Sequence, residues 1–162
     1  ACNANDVVPS FMKSGQYQPQ QSVATISNAM DVGNPSNFVR IMELFRHERE
    51  RLKEVLTAFS FSDAQTIDAI RQEYNGNEYL LDPHGAVGLL ALKKYAQLHH
   101  DAPGIFLETA HPVKFYDVVE PIIGEKIPLP TTIEKAMIRP MQVTDLEATD
   151  RALKEYLLSG GD

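Results

Sequence analysis

Pro103-Gly104-Ile105-Phe106-Leu107-Glu108-Thr109-Ala110-His111-Pro112 is the stretch from which the fold is read. Three apolar residues behind a Pro-Gly turn have the brevity and composition of a strand buried on both faces, the kind found in parallel sheets. The apolar run stops abruptly at Glu108, and Pro112 suits the first position of a helix, where a missing N–H costs nothing. Strand, polar loop and helix in that order are the grammar of an α/β layer. Val23-Ala24-Thr25-Ile26 has the same strand composition and runs into a polar, turn-rich loop from Ser27 to Pro35.

Around these two segments the pattern is helical. Asn5-Asp6 opens a short helix closed by Gly15, and Phe38, Ile41, Met42, Phe45, Leu52, Val55 and Leu56 keep the spacing of one long helix over about 37–58. Its Arg46 to Arg51 run reads as a solvated face. Ser62-Asp63-Ala64-Gln65 has the form of a capping box for a helix ending at Asn75-Gly76. Asp82-Pro83-His84-Gly85 starts a helix through Leu98 whose first turns are apolar nearly all round, which predicts burial. A further helix runs from Pro112 until Pro121 and Gly124 end it. Two more follow, one near 131–138 and one after the Thr144-Asp145-Leu146-Glu147 capping box, ending at Gly160-Gly161. About six helices against two or three strands leave the sheet short of members. The expected class is therefore α/β with further strands contributed from elsewhere in the polypeptide.

The 162 residues suffice for one domain or a piece of a larger one, and 43% apolar with 23% charged residues excludes disorder as the main state. The longest apolar run, Ala86 to Leu92, falls far short of the roughly 18 to 20 residues of a membrane span. A net charge of −7 without a basic block points away from nucleic acid. A single cysteine, Cys2, suits a reducing compartment, with the cytoplasm as the expected location. The chain opens without Met or a signal sequence and looks cut from something longer.

Ligands of open α/β sheets bind beyond the carboxyl ends of the strands. Candidate residues are therefore Asn28, Asp31 and Asn34 after the first strand, and Glu108, Thr109, Ala110 and His111 after the second. Thr109 offers a hydroxyl that can donate and accept. Capping of the next helix by Thr109 and His111 is the plain alternative, as capping is for His84. His99-His100-Asp101 lacks the ligands to complete a coordination set, so no metal is expected. Lys114 reads as a surface lysine. The Walker A loop, dinucleotide fingerprint and nucleophile elbow are all missing from the sequence.

Five ordered blocks carry a resemblance: Ala4-Asn5-Asp6-Val7-Val8-Pro9; Ala24-Thr25-Ile26-Ser27-Asn28-Ala29-Met30-Asp31; Ser36-Asn37-Phe38 with Arg40; Asp82-Pro83-His84-Gly85-Ala86-Val87-Gly88; and Thr109-Ala110-His111-Pro112-Val113-Lys114-Phe115. With these the chain resembles the C-terminal part of threonine synthase, of the long bacterial and fungal type. Two positions depart from the family's usual residues, Gly85 for Thr and Val113 for Ala.

The resemblance implies the helix-rich C-terminal part of a pyridoxal-phosphate enzyme of fold type II, the tryptophan-synthase-β type. Residues 1–124 would belong to the large domain and 125–162 to a helical extension. It implies conversion of O-phospho-L-homoserine and water to L-threonine and phosphate, by γ-elimination and β-addition of water. It puts Thr109, with Ala110 and His111, at the cofactor, and Asn28, Asp31, His84 and Lys114 at the substrate or the pocket wall. The Schiff-base lysine is expected upstream, in the rest of the same polypeptide, so no lysine of this chain is assigned that role and the chain alone is expected to be inactive. A non-catalytic helical interaction module, and a pyridoxal-phosphate lyase for another phosphorylated amino acid, are the competing readings.

Overall fold

The structure, a computed structural model, describes residues 1–100 and 103–160. It divides into two compact units, Ala1–Pro128 and Leu129–Asp162. The first unit holds α1 (Val7–Ser14), α2 (Phe38–Leu44), α3 (Arg49–Lys53), α4 (Asp63–Asn77), α5 (Pro83–Leu98) and α6 (Tyr116–Ile123), with single 3-10 turns at Asn28–Met30 and Pro112–Phe115. The second holds α7 (Thr131–Met137) and α8 (Asp150–Leu158). Among the described residues no helix is long and apolar enough to cross a membrane.

The Ser62 capping box forms in full, with Ser62 Oγ accepting from Gln65 N and the Gln65 side chain accepting from Ser62 N. α5 starts at Pro83 behind Asp82, whose carboxylate accepts from the first free amides, His84 N and Gly85 N. α4 packs against both α5 and α6, and Ile70, Ala86, Val87 and Val119 between them are fully buried. A second cluster gathers Phe11, Met12, Phe38 and Leu52.

That second cluster explains why the expected helix over 37–58 is broken. Arg46 and His47 adopt left-handed backbone at φ 54° and 58°, turning the chain so that Phe38 of α2 and Leu52 of α3 both reach Phe11 and Met12. A straight helix would carry Leu52 past the cluster. The charged run is not wholly solvated either. Arg49 donates from Nε (3.1 Å) and Nη2 (2.6 Å) to Met12 O, and from Nη2 (2.6 Å) to Lys13 O, capping the carbonyl end of α1.

In the second unit Thr144 does not start a helix. The cap is Thr149, which accepts from Ala152 N, and α8 begins at Asp150. The expected end at Gly160-Gly161 lies partly outside the described residues, as does Asp101 of the His99-His100-Asp101 run; α8 stops at Leu158.

The two expected strands are not assembled into a ladder among the described residues, where the one bridge given is an isolated parallel contact between Cys2 and Ser60. Val23 is instead paired with a side chain. The Asn5 amide accepts from Val23 N (2.8 Å) and donates to Val23 O (2.9 Å), as a neighbouring strand would. Residues 104–108 lie along α5 in the reverse direction. A Cβ added at Gly104 would meet Leu92 Cδ1 at 2.1 Å, one at Gly88 would meet Phe106 Cβ at 3.8 Å, and one at Gly85 would meet Glu108 Oε1 at 2.0 Å. Alternate residues 104, 106 and 108 thus face 92, 88 and 85, positions three and four apart on one helix face. The segment has the two-residue alternation of a strand, but the expected burial on both faces is absent. Ile105 is 90% and Leu107 76% exposed, because α5 lies against the opposite face, that of 104, 106 and 108.

Candidate functional site

The loop after Val23-Ile26 is built on Asp31. Its Oδ1 accepts from Asn3 Nδ2 (2.8 Å), Asn5 Nδ2 (3.1 Å) and Thr25 Oγ1 (2.7 Å), and its Oδ2 from Thr25 N (2.9 Å). Asn3 is 1% exposed and also donates to Ser27 Oγ and Ser27 O. A carboxylate with this many donors orders its own loop and leaves little capacity for a ligand. Asn28, on the 3-10 turn that Asp31 closes, is exposed.

His84 ties that loop to α5. Its Nε2 accepts from Ala29 N (3.1 Å), which requires an unprotonated Nε2 and puts the ring proton on Nδ1, facing Asp82 Oδ1 at 2.7 Å. Asp82 is completely buried and also accepts from His84 N (2.8 Å) and Gly85 N (3.4 Å). On its other side the His84 ring packs on Phe115, with centroids 4.6 Å apart. His84 therefore does more than cap a helix: it links the Ser27–Asp31 loop, the head of α5 and the turn that follows Thr109. The loop after the first expected strand and the turn after the second meet at this one imidazole, through Ala29 and Phe115.

Around the second loop the roles divide. His111 caps the Pro112–Phe115 turn, its Nδ1 accepting from Val113 N at 3.1 Å. Pro112 and Val113 are buried beneath, while Lys114 points to solvent. Thr109 is exposed, Ala110 half-buried, and the Thr109 hydroxyl makes no hydrogen bond among the described residues. The Glu108 side chain turns inward to Gly85, where its Oε1 is buried without a hydrogen-bond partner. Loss of water and, next, the neighbouring Asp82 carboxyl push the Glu108 pKa up to about 8. Surface grooves of about 540 and 420 Å³ lie along Tyr116–Lys126 and beside Phe106, between Leu89 of α5 and Glu73, Asn77 and Tyr79.

Asn3, Asn5 and Asp82 had no part in the sequence-level site. Their signal was present, in the Asp-Pro before a helix and in paired asparagines before a cap, but such residues usually serve the backbone. Glu108 stood in the polar stretch that ends the second expected strand, with no role of its own.

The helix-rich architecture is that of one part of a larger enzyme whose solved structures it matches. Over 98% of this chain and 36% of the other, it superposes on the crystal structure of threonine synthase from Escherichia coli with a TM-score of 0.83 at 39% identity. A threonine synthase from Brucella melitensis, solved with PLP bound, matches 99% of this chain and 39% of its own with a TM-score of 0.74 at 26% identity.

Sequence leads to the same group. Residues 85–157 match the family model "Threonine synthase, C-terminal". The threonine synthase of Serratia marcescens is 43% identical over 98% of this chain, and that of Haemophilus influenzae 42% over 96%. The chain belongs to the threonine synthase family and spans about a third, 36%, of the length of these relatives, at their C-terminal end.

Proposed function

We propose that this chain forms the C-terminal wall of the active site in a cytoplasmic threonine synthase, which converts O-phospho-L-homoserine and water to L-threonine and phosphate. The observation that carries this reading is Thr109. Its hydroxyl is exposed and makes no hydrogen bond among the described residues, and its neighbour Glu108 lies against Gly85 at the head of α5.

Those features fit a pyridoxal phosphate ring. A hydroxyl held at the rim can meet the pyridine nitrogen, Ala110 adds no bulk there, and His111 is occupied in holding the turn behind it. A neutral hydroxyl, unlike a carboxylate, does not compel the ring nitrogen to hold a proton, so Thr109 moderates electron withdrawal. When bound, the cofactor supplies the electron sink that lets phosphate leave Cγ and water add at Cβ. Asn28 and Lys114, both exposed, are the side chains free to face an anionic substrate, whereas Asp31 and His84 shape the wall. The lysine that bonds the cofactor is assigned to the rest of the polypeptide.

The test is phosphate release and threonine formation by the full-length protein. Thr109→Ala is expected to lower kcat/KM by about tenfold or more, and Thr109→Ser to keep most of it. Well-folded, cofactor-loaded wild type that leaves O-phospho-L-homoserine unchanged would overturn the substrate and favour a lyase for another phosphorylated amino acid.

A further inference from the structure

Gly85 and Glu108 occupy each other's space. A Cβ built at Gly85 would fall 2.0 Å from Glu108 Oε1 and 2.4 Å from its Cδ, distances no real pair of atoms adopts. The carboxyl group therefore lies on the first turn of α5 in the volume that any other residue at 85 would fill. There it meets the buried Asp82, and its Oε1 has no hydrogen-bond partner.

Two carboxylates confined together in a dry place do not both stay charged. The Asp82 oxygens accept from His84 N, His84 Nδ1 and Gly85 N. On Glu108 a hydrogen bond from the Asp82 backbone favours the charged form, but loss of water and the Asp82 carboxyl outweigh it, so the proton resides there. From α5 the groups that face it are Asp82 and, hydrogen-bonded to Asp82, His84. On its own segment the next titratable residue is His111, whose Nδ1 is engaged with Val113.

We propose that Glu108 is a positioning residue: a carboxylic acid that keeps its proton at neutral pH and, seated over Gly85, fastens the adjoining Thr109 to the head of α5. Removing the proton sets a second negative charge against Asp82 and loosens the seat. Only the consequence for Thr109 rests on the proposed activity; the seated acid itself does not.

The sign of the pH effect follows from a pKa of about 8 in the fold against an ordinary 4.5. The stability contributed by the neutral acid is complete below the ordinary value and is lost as pH rises through about 8. In the full-length protein the unfolding midpoint of wild type, compared with Glu108→Gln, should fall as pH rises through that window and run parallel above it. Gly85→Ala should lower the midpoint in wild type and cost far less alongside Glu108→Ala, where the seat is vacant. In turnover, wild type should lose activity near the same alkaline pH, and Glu108→Gln should not.

A wild-type to Glu108→Gln difference that stays constant with pH overturns the seated acid. So does an equal cost of Gly85→Ala in both backgrounds, which decides the matter if Glu108→Gln does not fold. An unchanged turnover profile with both unfolding results as expected overturns the positioning of Thr109. Wild type inactive on O-phospho-L-homoserine counts against the proposed activity alone, and the unfolding measurements still decide the acid.

Discussion

Asp82 carries three hydrogen bonds at one buried carboxylate, two of them to His84 and one to Gly85 N. Replacing it with alanine strands those donors and uncaps α5, at an expected cost of about 1–3 kcal/mol in chemical denaturation. Asp82→Asn keeps an oxygen for the His84 amide and ring N–H and should lose less. An equal loss in the two variants would mean that the cap and the imidazole contribute little. The His84 tautomer can be read separately from its ring nitrogen shifts, which should show a proton on Nδ1 and none on Nε2. At this scale the sequence placed the start of α5 at Asp82-Pro83-His84-Gly85 and read His84 as a cap. It could not show that the partner of His84 is Ala29 N, 55 residues away.

At the scale of elements, caps and terminators were legible and a tertiary break was not. Gly15 and Gly124, at φ 79° and 80°, end α1 and α6 in left-handed backbone that glycine adopts without a Cβ penalty. Arg46 and His47 take the same conformation between α2 and α3 with a side chain attached, at a cost on the order of 1 kcal/mol each. Nothing local asks for it; the compensation is the joint burial of Phe38 and Leu52. Arg46→Gly should therefore leave stability unchanged or raise it. Arg49→Ala, which uncovers the carbonyls of Met12 and Lys13, should lower it by about 1–2 kcal/mol. Guanidinium chloride midpoints of the two variants check both signs, and the pairing is wrong if Arg46→Gly proves the more damaging.

For the molecule as a whole, the informative surface is the outer face of residues 104–108. Ile105 and Leu107 are bare, and the segment between them has no ladder partner among the described residues. An unpaired strand edge with exposed apolar side chains is a template for association. The 162-residue chain produced alone is expected to sediment as dimers or larger species whose proportion falls on dilution. Ile105→Lys with Leu107→Lys should shift it toward monomer. A monomer that persists at high concentration in the unsubstituted chain would show that this face is covered.

What the sequence determined by itself is whatever depends on neighbours in the chain. The capping box at Ser62, the start of α5 behind Asp82 and the glycine stops all arise from interactions within about four residues. The ordered motifs were enough to indicate the family. Tertiary structure alone decided what depends on residues far apart: the break at Arg46-His47, the Asn5 amide standing in for a strand beside Val23, the His84 link between two loops, and the seating of Glu108 on Gly85. Each is a packing or desolvation event between segments at least 18 residues apart. No local propensity encodes it, because its free energy exists only once both partners have left water together.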